Sequence, residues 1–320
     1  MALFSKPGSW PSEWRIGMGN RYTQKKNRSA DRDSRRMIRG ITCLAIAGAA
    51  VLASLALPPG VEARNASQPN PHGVKGHWKL TFDSEFGGSK VDANQWYLSC
   101  PWGGSQGRCR SGDGSVSCFD ARDVAVGGGH LTMTVKRTSV KCVGKKLAYD
   151  GAFLSTDVWG LPTHLSWKYG FAEARIQYPN AAPLHGLWGG FWAAPTSERF
   201  PPELDISEWQ SNHPRAIGTF FHWRCNPGVN VCGVCKPKCQ FERYTSLRSP
   251  GWHVYGAYWR QGRITWYIDG RAVGTATYRV ADIPLDLRLT FEVNGRPANP
   301  VRSSTPLPQR MLVDYVRVWQ

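Results

Sequence analysis

The sequence predicts an all-β protein, a sandwich or barrel of antiparallel strands, and three observations carry that prediction. Short runs rich in β-branched and aromatic residues recur along the chain, separated by Gly, Pro, Asn and Asp. Four of these runs alternate with period two: HLTMTVKR (130–137), GFAEARIQY (170–178), RITWYID (263–269) and MLVDYVRVW (311–319). Such alternation sends successive side chains to opposite faces of a strand. The third observation is ITWYIDGRAVG, in which Asp269-Gly270 separates two alternating runs and supplies the residue pair that a two-residue hairpin turn favours. There is no internal repeat and no long amphipathic helix. Many short strands with turn signals between them read as a sandwich or barrel.

In chain order, residues 1–63 read as a leader. The run ITCLAIAGAAVLASLAL (41–57) is uncharged, follows Arg35, Arg36 and Arg39, and precedes Val61-Glu62-Ala63, the pattern of a signal peptide with its cleavage site. Ala and Gly make it a poor membrane span. A start at Met37 would give a compact basic n-region, Ser34-Arg35-Arg36 hints at a twin-arginine signal, and retention as an anchor is the alternative to cleavage. Residues 64–76 (RNASQPNPHGVKG) read as a disordered lead-in, and 77–320 suit one β domain. The expected location is therefore outside the cell, with a periplasmic or membrane-anchored protein as the alternative.

The net charge of +17 falls to +11 once 1–63, with ten basic and four acidic residues, are removed. That surplus favours anionic polymers. The basic residues are scattered, however, and no segment resembles a nucleic-acid reading helix or an aromatic RNA-binding strand, so nucleic acid is not an expected partner. Cys43 lies in the leader. The other eight cysteines, 100, 109, 118, 142, 225, 232, 235 and 239, form an even set in an exported chain and point to disulfides whose pairing stays open. The cluster CNPGVNVCGVCKPKC (225–239) also has the spacing of a zinc loop, the alternative there. Both Cys-rich segments read as stapled loops at strand ends.

Tryptophan is over-used, with 15 in the chain. Some must fill the core, yet Trp102, Trp188, Trp192, Trp209, Trp223 and Trp252 sit beside Gly, Pro or charged residues. Flat rings in such places can stack on the apolar faces of sugars while their N–H groups reach hydroxyls.

The stretch PPELDISEWQ (201–210) holds Glu203, Asp205 and Glu208. On a regular strand Glu203 and Asp205 share a face and Glu208 points away. One extra residue, a β-bulge, returns Glu208 to their face. Three carboxyls together repel unless their pKa values spread, and a protonated acid beside an ionised carboxylate is what glycoside hydrolysis uses. A solvated acidic strand or a calcium site are the alternatives, and the flanking tryptophans favour a sugar cleft over both.

ELDISE resembles the bulged active-site signature of glycoside hydrolase family 16, of the laminarinase-like type. LTFDSEFGG (80–88), DANQW (92–96), KYGFAEARIQYP (168–179), GLWGGFWAAP (186–195), WHVYGAYWRQGRITWYIDG (252–270) and LPQRMLVDYVRVWQ (307–320) resemble further family segments in order. The resemblance implies a concanavalin-like β-jelly-roll sandwich of two curved antiparallel sheets with a cleft on the concave face. It also implies retaining endo-hydrolysis of a β-linked polysaccharide, with Glu203 as nucleophile, Glu208 as general acid/base and Asp205 holding the nucleophile. Trp188 and Trp192 would line the subsites near the cut, and His222 would touch the acid cluster or the sugar. The alternative for His222 is a satisfied sheet histidine. No cofactor is implied for catalysis, and Asp314 matches a residue that often ligates a structural Ca²⁺. A monomer is expected.

Two departures bear on substrate. DGAFLST (150–156) lacks the Arg common in that strand, and Thr290 stands where Asn is common. A β-1,3-(1,4-)glucan is the first expectation, an anionic or sulfated galactan or exopolysaccharide the second. A transglycosylase or a non-catalytic glycan-binding module on the same fold remain alternatives.

Overall fold

The computed structural model describes residues 69–103, 108–111, 114–180, 184–196, 200–223 and 240–320. The leader run 41–57 and the cysteine cluster 225–239 lie outside them. Among the described residues fifteen strands follow in chain order: β1 (Leu80–Ser84), β2 (Ser117–Phe119), β3 (Val124–Gly127), β4 (His130–Cys142) and β5 (Lys145–Ser155). Then come β6 (Gly170–Gln177), β7 (Leu187–Pro195), β8 (Glu203–Gln210), β9 (Ala216–His222) and β10 (Gln240–Ser246). The chain closes with β11 (Trp252–Arg260), β12 (Arg263–Ile268), β13 (Arg271–Ala276), β14 (Leu285–Val293) and β15 (Gln309–Trp319).

These strands form the expected all-β fold, and one hydrogen-bonded path runs through both of its layers. The first layer is β10-β9-β8-β7-β14-β5 and the second is β4-β15-β6-β11-β12-β13. The long strands β4 and β5 join them. Residues 131–135 of β4 pair with β15, its far end pairs with β5, and a register irregularity falls between Arg137 and Val140. Irregularities of that kind bend a strand and sharpen its twist, so the sheet curls over and its second layer packs on its first. Short β2 adds a parallel strand beside β5.

The core lies between the layers. Phe191, Leu204, Ile206, Phe221, Leu287 and Leu289 come from the first, and Ile176, Tyr255, Trp259, Trp266, Val313 and Val316 from the second. The Asp269-Gly270 turn forms as expected: both residues have positive φ, 49° and 72°, the requirement of a type I′ hairpin. One alternating run behaves differently. Strand β6 is buried on both faces, because residues 69–78 cover its outer side. The His72 backbone N–H and the Glu173 carboxylate lie 2.9 Å apart, the Trp78 ring lies 6.5 Å from Phe171, and Trp319 Nε1 donates to the Pro69 carbonyl at 2.7 Å.

Candidate active site

The acidic strand is β8, near the middle of the first layer. Glu203 pairs with His222 and Asp205 with Phe220 in regular register, and Glu208 then pairs with Gly218. Three steps along β8 therefore match two along β9. Against β7 the slip falls between Asp205, opposite Trp192, and Ser207, opposite Phe191. Ile206 is thus the extra residue of a β-bulge, and the step that alternation alone would deny Glu208 is restored. Leu204, Ile206 and Trp209 face the core, which leaves Glu203, Asp205 and Glu208 on the opposite face.

These carboxyls are nearly shut off from water, at 7%, 7% and 9% exposure. Burial penalises the charged form, and it raises the Asp205 carboxyl well above the usual range. Glu208 is raised first by burial and then by the Asp205 charge. Arg296, His222 and a long contact from Gln210 Nε2 (3.4 Å) pull the other way without cancelling it. Two buried acids so placed titrate as a pair, and a proton stays on the pair into neutral pH. His222 bridges the cluster. Its Nε2 lies 3.1 Å from Asp205 Oδ2 and 3.6 Å from Glu203 Oε1, with the ring parallel to Phe220 at 5.7 Å.

The neighbouring strands supply the rest of the face. On β7, Trp188 and Trp192 flank Gly190, which stands opposite Glu208. A Cβ on Gly190 would lie 2.9 Å from Thr290 Oγ1, so glycine keeps the floor between the two rings open. Strand β14 pairs Arg288 with Trp192, Thr290 with Gly190 and Glu292 with Trp188. The Arg288 guanidinium lies 4.7 Å over the Trp192 ring while its Nε and Nη2 donate to Asp286 at 2.7 and 2.8 Å. Burial raises the Asp286 carboxyl to about 6 in spite of that arginine. Arg296 lies 4.2 Å over the Trp188 ring. Two disulfides, Cys100–Cys109 and Cys118–Cys142, staple the loop beside this end of the sheet. The first packs with Phe119 and Phe153 into a small cluster against which Trp102 and Trp192 both rest.

Of the residues singled out in sequence, Glu203, Asp205, Glu208, His222, Trp188 and Trp192 meet on one face, and Trp102 borders it. Trp209 does not. It is 1% exposed, lies in the core, and stacks on Tyr178 at 5.5 Å with 4° between the planes. Its phase explains this: after the bulge, the residue following Glu208 must face inward. Trp223 follows His222 and likewise turns to the other side, packed against the main core and 5.4 Å from Tyr278. The charged groups that β14 adds to this face have their signal in LDLRLTFEV (285–293). Asp286, Arg288, Thr290 and Glu292 alternate there with large apolar residues, a charged face on a strand that proves central.

Among the described residues, Glu203, Asp205 and His222 are the one grouping of three His, Cys, Asp or Glu side chains close enough to share a metal ion, their ligand atoms all within 4.8 Å. Asp314 belongs to no such group. It sits at an irregularity of β15, and its Oδ2 accepts from Arg175 Nη1 at 2.6 Å. The carboxylate is thus answered by a guanidinium, and any Ca²⁺ there would draw its remaining oxygens from backbone carbonyls and water.

The family model described as "Glycosyl hydrolases family 16" matches residues 115–304. The chain is 26% identical over 200 residues to the endo-1,3-1,4-beta-glycanase EglC of Rhizobium meliloti (strain 1021), covering 62% of this chain and 40% of that protein. It is also 26% identical over 277 residues to beta-porphyranase C of Zobellia galactanivorans, covering 74% and 76%. This chain thus spans well under half the length of the first of these relatives. Among solved structures, the catalytic domain of an endo-1,3-beta-glucanase (laminarinase) from Thermotoga petrophila aligns with TM-score 0.64 and 23% identity, over 76% of this chain and 98% of that one.

Proposed function

This chain belongs to glycosyl hydrolases family 16, and we propose on that premise that it is an exported, retaining endo-β-glycosidase. Its first expected substrate is a β-1,3-(1,4-)glucan, in keeping with the endo-1,3-1,4-beta-glycanase relative. The observation that carries the reading is the Ile206 bulge, which returns Glu208 to the buried face of Glu203 and Asp205.

Glu203 attacks the anomeric carbon as the glycosidic C–O bond breaks, and the Glu208 O–H donates its proton to the departing oxygen. Burial serves this step, because it keeps the acid protonated until a leaving group arrives. Glu208, now ionised, takes a proton from water, the water oxygen attacks the same carbon, and Glu203 leaves with configuration retained. His222 stands between Asp205 and the nucleophile and fixes the one relative to the other. Trp192, Trp188 and Trp102 border the sugar-binding face. The two carboxyls carry both steps, so catalysis calls on no cofactor. Two disulfides support an oxidising compartment outside the cytoplasm. A monomer acting on a polysaccharide is the simplest assembly.

A second reading, an anionic galactan or exopolysaccharide, is favoured by the Arg296 guanidinium on the face of Trp188. Reducing-end release by residues 64–320 on laminarin, lichenan, agarose, carrageenan and an acidic exopolysaccharide separates the two, with Glu203→Gln beside each. Activity on laminarin or lichenan that vanishes in the variant supports the first reading. Activity confined to a charged polymer supports the second. Added oligosaccharide acceptors reveal any transglycosylation. Retention on a glycan gel without turnover would make the chain a binding module.

A further inference from the structure

The bulge that brings the carboxyls together is gripped from beneath. An extra residue disrupts a strand's ladder locally, so a bulge needs its stray groups satisfied from elsewhere. Here the second layer bonds to both sides of the bulge across the core. Trp266, on β12, donates its Nε1–H to the carbonyl of Asp205 at 2.8 Å. Tyr178, one residue past β6, shares a 2.8 Å hydrogen bond with Ser207 Oγ. The two bonds bracket Ile206, the inserted residue. Both side chains are themselves immobilised: Trp266 is fully buried and lies 4.8 Å from Phe241 with 10° between the rings, and Tyr178 stacks on Trp209.

We propose that Trp266 and Tyr178 are positioning residues which fix the bulged register of β8, and with it the placement of Glu208 relative to Glu203 and Asp205. This rests on the catalytic reading of that pair. A strand shifted by one residue turns every later side chain to the other face, so the register decides whether Glu208 reaches a substrate or the core. Smaller shifts also matter, since a misplacement of about 1 Å can cost a hundredfold in rate.

An internal control separates this role from ordinary packing. Trp259, on β11 of the same layer, is equally buried and donates its Nε1–H to the Ala281 carbonyl at 3.0 Å, in the connection between β13 and β14 and away from the acidic strand. Trp266→Phe and Trp259→Phe each delete a buried indole and one N–H···O=C bond. Tyr178→Phe removes only a hydroxyl and is the mildest probe should Trp266→Phe fold poorly. The expected result is a kcat about 10- to 100-fold lower in Trp266→Phe and Tyr178→Phe with KM changed less than about threefold, while Trp259→Phe loses similar thermal stability and keeps its kcat. Amide hydrogen exchange over 203–210 should quicken in the first two variants and not in the third. Loss of kcat that follows Tm alike in all three variants, or an unchanged exchange rate at 203–210 in Trp266→Phe, overturns the proposal. A wild-type chain without turnover on any glycan, but with the same exchange pattern, would keep the grip on the bulge and remove the catalytic reading instead.

Discussion

Replacing Glu208 by glutamine should stabilise the protein at neutral and alkaline pH while abolishing its activity. The carboxyl is 9% exposed, faces Asp205, and is pushed by burial from 4.5 to about 8. A folded-state pKa above the unfolded value means that the group's contribution is fully present below about pH 4.5 and is lost as pH rises toward 8. A tenfold change in proton affinity is worth about 1.4 kcal/mol, so a fully independent Glu208 would forfeit roughly 5 kcal/mol by pH 8.5. Independence is too strong an assumption. Asp205 is raised by the same burial, and when Glu208 becomes neutral its neighbour ionises more readily. Only part of that is then recoverable, and each kcal/mol recovered raises Tm by roughly 2–4 °C for a domain of this size. The assay is paired unfolding of wild type and Glu208→Gln between pH 4 and 8.5. The gap should be near zero at pH 4 and widen steadily with pH. A gap that is constant across the range, or a wild type more stable at pH 8, would refute the account of a buried, proton-holding pair.

Other expectations follow from the same geometry. His222→Ala removes the group bridging Asp205 and Glu203 and should lower kcat about 10- to 100-fold, the worth of one charge-assisted hydrogen bond, with little effect on KM. Trp192→Ala should raise KM severalfold for the loss of about 1 kcal/mol of ring contact, whereas Trp209→Phe should lower Tm and leave KM alone, because Trp209 belongs to the core. Asp314→Asn breaks a half-exposed ion pair with Arg175 worth about 0–1 kcal/mol, and chelator should leave Tm unchanged. A Tm that falls with chelator would mean that a metal site exists after all.

How far the sequence could be read depended on whether a feature was local. The hairpin at Asp269-Gly270 and the bulge at Ile206 were legible because each is written in a few consecutive residues: two that tolerate positive φ, and three acids out of step. Trp209 lies in the core and not beside the sugar face, because the same shift that turns Glu208 outward turns its successor inward. What stayed hidden was contact between distant segments. Nothing near Arg288 announces that β14 will lie beside β7 and set a guanidinium on Trp192. The same holds for Trp266, whose indole crosses the core to the Asp205 carbonyl. The joining of the two layers through β4 and β5 depends on strand length and a bend, which alternation alone does not reveal.

The central claim is that Glu203 and Glu208 act as a retaining pair on one face of the bulged strand. The measurement that tests it most directly follows the anomeric proton signal of the freshly released reducing end by NMR during hydrolysis of the most active glycan, in wild type and in Glu203→Gln. The account predicts that the β-anomer appears first and reaches α/β equilibrium only later, with no signal from the variant. An α-anomer appearing first, or a Glu203→Gln variant that still turns over at the wild-type rate, would contradict it.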